Sequence, residues 1–287
     1  MKNKCLLFIF FACLNNPLYA QKINPTRLQN LAGKEIVSTV SITSDTRSST
    51  IGINNKNIET IPTGRKQTTQ KSINLGKNGL NIKINFVIQH IKAAIYGSSG
   101  ESIYDSDNVF ERSGAASAFG SRFDPIIGKK ITAIYDYEGK PISAIDDALF
   151  EQTWNTGTPK ISLVAEWNGI FQMSALASGW EKGKTWTDTL RSPKEEFINT
   201  YAIKEINNEL VKITLKGRSK PVLTASKAGI NTEQQGSAYD GILEVVKSTG
   251  FIQQFELSRE SETLSEVEGI KISSRTITKT IVKNKVN

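Results

Sequence analysis

Apolar residues recur at every second position through long stretches of this chain. That period suits one kind of backbone, the extended strand, whose side chains alternate between two faces. Leu80, Ile82, Ile84, Phe86 and Ile88 line one face of such a stretch, with Asn81, Lys83 and Asn85 on the other. Ile36, Val40 and Ile42 alternate with polar positions in the same way. Residues 269–282 set Ile270, Ile272, Thr276 and Thr278 against Lys271, Ser273, Arg275 and Lys279. Turn residues divide the pattern into three hairpins: 131–137 and 140–145 flank Glu138-Gly139, 197–206 and 209–216 flank Asn207-Asn208, and 241–247 and 251–259 flank Ser248-Thr249-Gly250. Past Val87 the phase changes. Ile91, Ala93 and Ile95 fall, by count, on the face opposite Ile84, which predicts a bulge or strong curvature.

Helical signals are confined to the middle of the chain. Ser113 to Phe119 is small and Ala-rich, with Pro125 limiting its extent. Asp146-Asp147 ahead of Ala148-Leu149-Phe150 resembles an N-cap with acids in the first turn. Residues 159–178 are read as a helix interrupted at Asn168-Gly169. Segments 44–57 and 97–108, rich in Ser, Thr, Asn and Gly, are expected to be loops.

The N-terminus predicts export. Lys2 and Lys4 precede an apolar run from Cys5 to Leu14, and Asn15-Asn16-Pro17 leads to Ala20, after which cleavage is expected. The run is too short to span a bilayer, which takes roughly 20 apolar residues. The alternative is a lipoprotein anchored at Cys13. Both cysteines lie within this leader, so residues 21–287, read as a single β-rich domain, would hold their fold by burial without disulfides.

Removing Lys2 and Lys4 leaves 34 basic residues against 28 acidic ones, a net +6. All of the excess lies in residues 21–79, where nine bases face only Glu35, Asp45 and Glu59. Such a segment can make peripheral contact with a membrane, but the simpler reading is a lysine-rich solvent face on edge strands. Export and the lack of a basic-aromatic stacking surface argue against nucleic acid.

No motif carries catalysis. His90, the only histidine, is expected on the face of Phe86 and Ile88 as a partly buried structural residue. One imidazole without cysteine does not supply a His/Cys zinc site, so no metal or other cofactor is expected. Asp105 and Asp107, Asp146 and Asp147, and Glu195 and Glu196 are the close carboxylate pairs, each at a turn or helix start where acids are favoured for capping alone. Asp105-Ser106-Asp107-Asn108 offers fewer oxygen ligands than a calcium loop needs and leaves calcium as a minor alternative only. Trp154, Trp167, Trp180 and Trp186 cluster in the helix-rich segment, either as core filling or as a cover over a pocket.

Several short motifs occur in order: Tyr104-Asp105-Ser106, Pro125-Ile126-Ile127-Gly128-Lys129, Tyr135-Asp136-Tyr137-Glu138-Gly139-Lys140, Gly179-Trp180, Gly183-Lys184-Thr185-Trp186, residues 201–206, Gly241-Ile242-Leu243-Glu244-Val245 and Thr249-Gly250-Phe251. In this order the chain resembles an uncharacterised family of secreted bacterial envelope proteins with a LolA-like, lipoprotein-carrier type of fold. The resemblance implies a mainly β (α+β) architecture: a curved antiparallel sheet or incomplete half-barrel, with a few helices covering its concave face. It carries no catalytic residues, and in such carriers the cavity holds acyl chains. The expected role is therefore an exported protein that binds a lipid, lipoprotein or other apolar ligand, with Leu80, Ile82, Ile84, Phe86, Trp154 and Trp167 as candidate lining. The alternative is a structural or protein-interaction module of the envelope. A hydrolase using paired carboxylates ranks last.

Overall fold

Thr, Ile and Val are stiff at χ1 and pack well on a pleated surface, so segments in which they alternate with polar residues settle into strands. A computed structural model describes residues 33–51, 57–59, 62–78, 81–97, 100–108, 110, 120, 123–135, 141–145, 179–191, 195–221, 225–227, 230–267 and 270–287. The strands are β1 (Glu35–Ile51), β2 (Asn57–Glu59), β3 (Thr63–Asn78), β4 (Asn81–Gly97), β5 (Gly100–Asp105), β6 (Lys130–Tyr135), β7 (Pro141–Ile145), β8 (Thr185–Arg191), β9 (Glu195–Ile206), β10 (Leu210–Pro221), β11 (Ala225–Lys227), β12 (Ile230–Val246), β13 (Ile252–Val267) and β14 (Ile270–Val286).

Among the described residues these strands form one open, curved antiparallel sheet in the order β7-β6-β4-β3-β1-β14-β13-β12-β10-β9-β8. Its long strands form two meanders, joined where the first strand pairs with the last: Ile36 faces Val286, and the register runs unbroken to Ile51 and Lys271. Strands β2, β5 and β11 add short pairings to β1, β4 and β12. The expected mainly β, open-sheet architecture is what is found. The helices expected at 113–119, 146–150 and 159–178 lie outside the described residues, as does the leader.

The strands of all three expected hairpins pair, the turn of the first lying outside the described residues. At the second, the Asn207 side-chain oxygen accepts from the backbone of Glu209 and Leu210 at 2.9 and 2.6 Å, and Asn207 N–H bonds Leu210 O at 3.0 Å. At the third, Gly250 takes φ 72° and its N–H reaches Val246 O at 2.7 Å, a left-handed position that suits glycine.

Three expectations are corrected. Segment 44–57 is not all loop, since β1 continues to Ile51 and Asn57–Glu59 adds β2 to it. The hydroxyls there meet matching ones on β14: Ser44 with Thr278 at 3.3 Å, Thr46 with Thr276 at 3.0 Å and Ser48 with Ser274 at 2.8 Å. Cross-strand hydroxyl pairs stabilise a strand that has no apolar alternation. Segment 97–108 likewise contains β5, paired with residues 92–97 of β4. The basic first quarter does not form edge strands either; β1 and β3 lie mid-sheet, and Lys71 is buried.

The phase change in β4 is a bulge. Gln70 pairs with His90 and Lys71 with Ile88, which leaves Gln89 as the extra residue. Ile84, Ile88, Ile91 and Ala93 are all buried as a result. The two apolar runs share one face, because the inserted residue resets the alternation. His90 is turned to the other face, away from Ile88.

Candidate functional site

One face of the sheet is buried and is called inner here. Its register orders it into transverse rows of different chemistry. One row passes through Val40, Val282, Phe255, Leu243, Ile213 and Ile203, and the next through Ile42, Thr280, Leu257, Gly241, Leu215 and Tyr201 to Trp186. Most of these belong to one apolar cluster, against which Trp180 and Trp186 pack. Farther along the strands a third row reads Arg65, Ser44, Thr278, Arg259, Tyr239, Gly217 and Asn199. A fourth reads Thr63, Thr46, Thr276, Ser261, Ser237 and Ser219. On β10, β12 and β13 the inner face thus grades from aliphatic at one end to hydroxyl and guanidinium at the other, whereas β1 and β3 carry buried polar side chains along most of their length.

The polar end is internally bonded. Arg259, buried, donates through Nε to Ser237 Oγ at 2.8 Å and lies over the Phe197 ring at 5.9 Å. Ser237 and Ser219 hydroxyls meet at 2.8 Å, and Arg65 bonds the Gln67 side chain. Deeper in the apolar part, Lys71 sits in a row with Ser38 and Asn284. Burial pushes its ammonium down to about 7, because removal from water disfavours the charged form.

The outer face of β13 and β14 carries alternating charge. Glu256, Glu260, Glu262 and Glu266 stand beside Lys271, Arg275, Lys279 and Lys283, with Arg275 Nε 2.6 Å from Glu260 Oε1. Such a face suits water.

On that same outer face the β4 bulge and β5 bring His90 and Lys92 to the carboxylate pair Asp105 and Asp107. His90 Nε2 lies 2.8 Å from Asp105 Oδ1 and 3.7 Å from Asp107 Oδ2, while Lys92 Nζ is 3.1 Å from Asp105 Oδ2. Burial pushes the Asp105 carboxyl up, but hydrogen bonds from His90, the Asp107 amide and Lys92 outweigh it and hold the group at about 2. Sequence separates His90 from Asp105 by a strand and a turn. The phase slip after Val87 is the one signal that would have turned the imidazole outward.

Of the expected lining residues, Ile84 is fully buried on the inner face, between Leu75 and Ala133 in register. Ile82 and Phe86 lie in β4 and pair with Lys77 and Ile73, their side chains being outside what is described. Leu80, Trp154 and Trp167 lie outside the described residues. The motif residues act as joints. Trp186 stacks on Tyr201 at 5.1 Å, Gly183 N–H and Ile203 N–H tie the two strands, and Trp180 Nε1 donates to Lys247 O at 3.0 Å. A Cβ at Gly241 would stand 2.5 Å from Glu256 O, so the strands approach only over glycine there.

No family model matches the chain, and no curated protein does. Similar solved structures include an outer membrane channel from Pseudomonas putida F1, at 6% identity and TM-score 0.26, covering 88% of this chain and 96% of that one. Pseudomonas aeruginosa OccK7 (OpdD) is similar at 5% identity and TM-score 0.21, covering 88% and 100%. Scores this low carry no argument about fold or function.

Proposed function

We propose that the chain is an exported envelope protein whose inner sheet face binds an apolar or amphiphilic ligand, a lipid or the acyl part of a lipoprotein. The observation that carries the reading is the gradient along that face, from the Val40–Val282–Phe255–Leu243–Ile213–Ile203 row to the hydroxyl and arginine rows. An amphiphile lying along the strands would set its chain against the first and its head against the second. The charged outer face fits a carrier that moves through water.

Full burial of Val211, Ile213, Leu243, Val245 and Phe255 favours the second reading, a structural or protein-interaction module whose inner face is its core. Native mass spectrometry of the protein purified from its own envelope, followed by lipid extraction, separates the two. A stoichiometric lipid supports the carrier. Lipid-free protein that also ignores a fluorescent fatty-acid probe leaves the interaction module standing and removes the carrier.

A further inference from the structure

The outer-face cluster is independent of the inner face. We propose that His90, Asp105 and Asp107 form a site for a divalent transition-metal ion of the zinc class. Three features of the chain build it. The bulge at Gln89 turns His90 outward beside β5, where Lys92 pairs with Asp105. Ser106, buried, bonds Ile91 twice, its N–H to Ile91 O at 2.9 Å and its Oγ from Ile91 N–H at 3.1 Å, and so fixes the two flanking carboxylates against the strand. One donor atom from each of His90, Asp105 and Asp107 lies within 4.8 Å of the others.

Bonds of roughly 2.1 Å to a tetrahedral ion place its ligand atoms about 3.4 Å apart. The observed 2.8 and 3.7 Å from the imidazole nitrogen straddle that figure, and the two carboxylate oxygens lie within 4.8 Å of each other. One imidazole and two carboxylates form a borderline donor set with two negative charges, which suits Zn²⁺; calcium takes oxygen ligands and gains nothing from the imidazole. Lys92 holds Asp105 Oδ2 and leaves Oδ1 turned to the imidazole. Asp107 is largely exposed, which gives the ion an approach and leaves room for water in a fourth position.

Because His90 is the only histidine, the imidazole nitrogen signals of untagged, ¹⁵N-labelled protein report on one residue. Titration with ZnCl₂ is expected to shift them with one-to-one stoichiometry, and calorimetry on the same samples to give an affinity that falls at least tenfold in Asp107→Asn and in His90→Gln. Asp107→Asn changes an exposed side chain, so it keeps the test open should the histidine variant fail to fold. Imidazole signals unmoved by millimolar zinc, affinity unchanged in Asp107→Asn, or tighter binding of CaCl₂ than of ZnCl₂ would each overturn the proposal.

Discussion

Tyr239 donates its phenolic hydrogen to the Asn199 side-chain oxygen at 2.6 Å across an intervening strand, and glycine at position 217 makes this possible. A Cβ at Gly217 would stand 2.1 Å from the Tyr239 ring, so the aromatic fills the space a side chain would take. Gly64 and Tyr96 repeat the device on β3 and β4, where Tyr96 donates to Asp45 at 2.8 Å. An aromatic laid over a cross-strand glycine restores the burial that the glycine forfeits. Gly217→Ala is therefore expected to destabilise by ~1–3 kcal/mol through overpacking. Tyr239→Phe keeps the ring and is expected to cost about 1 kcal/mol for the lost hydrogen bond. Denaturant melts of the two variants should rank them in that order; equal loss would mean that the ring position is not what glycine protects.

Lys71 sets a pH dependence of opposite sense to that of a salt-bridged lysine. In the unfolded chain its ammonium keeps its proton to about 10.5, whereas in the fold it gives it up near 7. Between those values the unfolded state binds more protons, so the contribution of Lys71 to stability improves as pH rises. Lys71→Met should be more stable than the parent at pH 7, and the gap should close toward pH 10.5. Chemical denaturation across that range measures it, and a gap that widened with pH would refute burial as the cause.

The sheet was legible where turn chemistry and alternation agree. Asn207-Asn208 and Ser248-Thr249-Gly250 each join two alternating runs, and both hairpins form as expected. What was missed has a common cause. The inner positions of β3 include Arg65, Gln67, Thr69 and Lys71, and the far half of β1 presents Ser44, Thr46 and Ser48. Ser44, Thr46 and Ser48 owe their strand character to partners bearing like groups more than two hundred residues away, and the β3 residues owe theirs to β1 and β4 on either side, neither of which local pattern reveals. The site was less legible than the fold. Ile84 faces inward as expected, but the histidine–carboxylate cluster depends on one inserted residue and two non-local pairings.

Asp105 should leave its mark on the acid limb. Its carboxyl is held at about 2 in the fold against an ordinary value of 3.8, so the stabilisation is complete above about pH 4 and is lost as pH falls toward 2. In metal-free buffer, Asp105→Asn is expected to lower stability at neutral pH and to flatten its fall between pH 4 and 2. Thermal melts at half-unit intervals through that window check it. Parallel acid limbs for parent and variant would show that the bonds from His90, Lys92 and the Asp107 amide do not hold the proton off.

The bulge makes a prediction about deletions that depends on which residue is removed. Taking out Gln89 leaves Ile88 inward, His90 outward and Ile91 inward, which is regular alternation, so both buried runs keep their face. Taking out Asn85, a few residues earlier in the same strand, reverses the parity of everything on one side of it. Either Ile84 or the run from Ile88 to Ala93 must then face water. Each isoleucine so exposed forfeits ~1.5–3 kcal/mol, and several together approach the whole stability of an ordinary domain, about 5–15 kcal/mol. Deletion of Gln89 should yield a protein with a cooperative melt and β-type circular dichroism, its main loss being the local twist that a bulge adds. Deletion of Asn85 should yield insoluble or unfolded chain. If the two deletions behave alike, the assignment of Gln89 as the inserted residue is wrong.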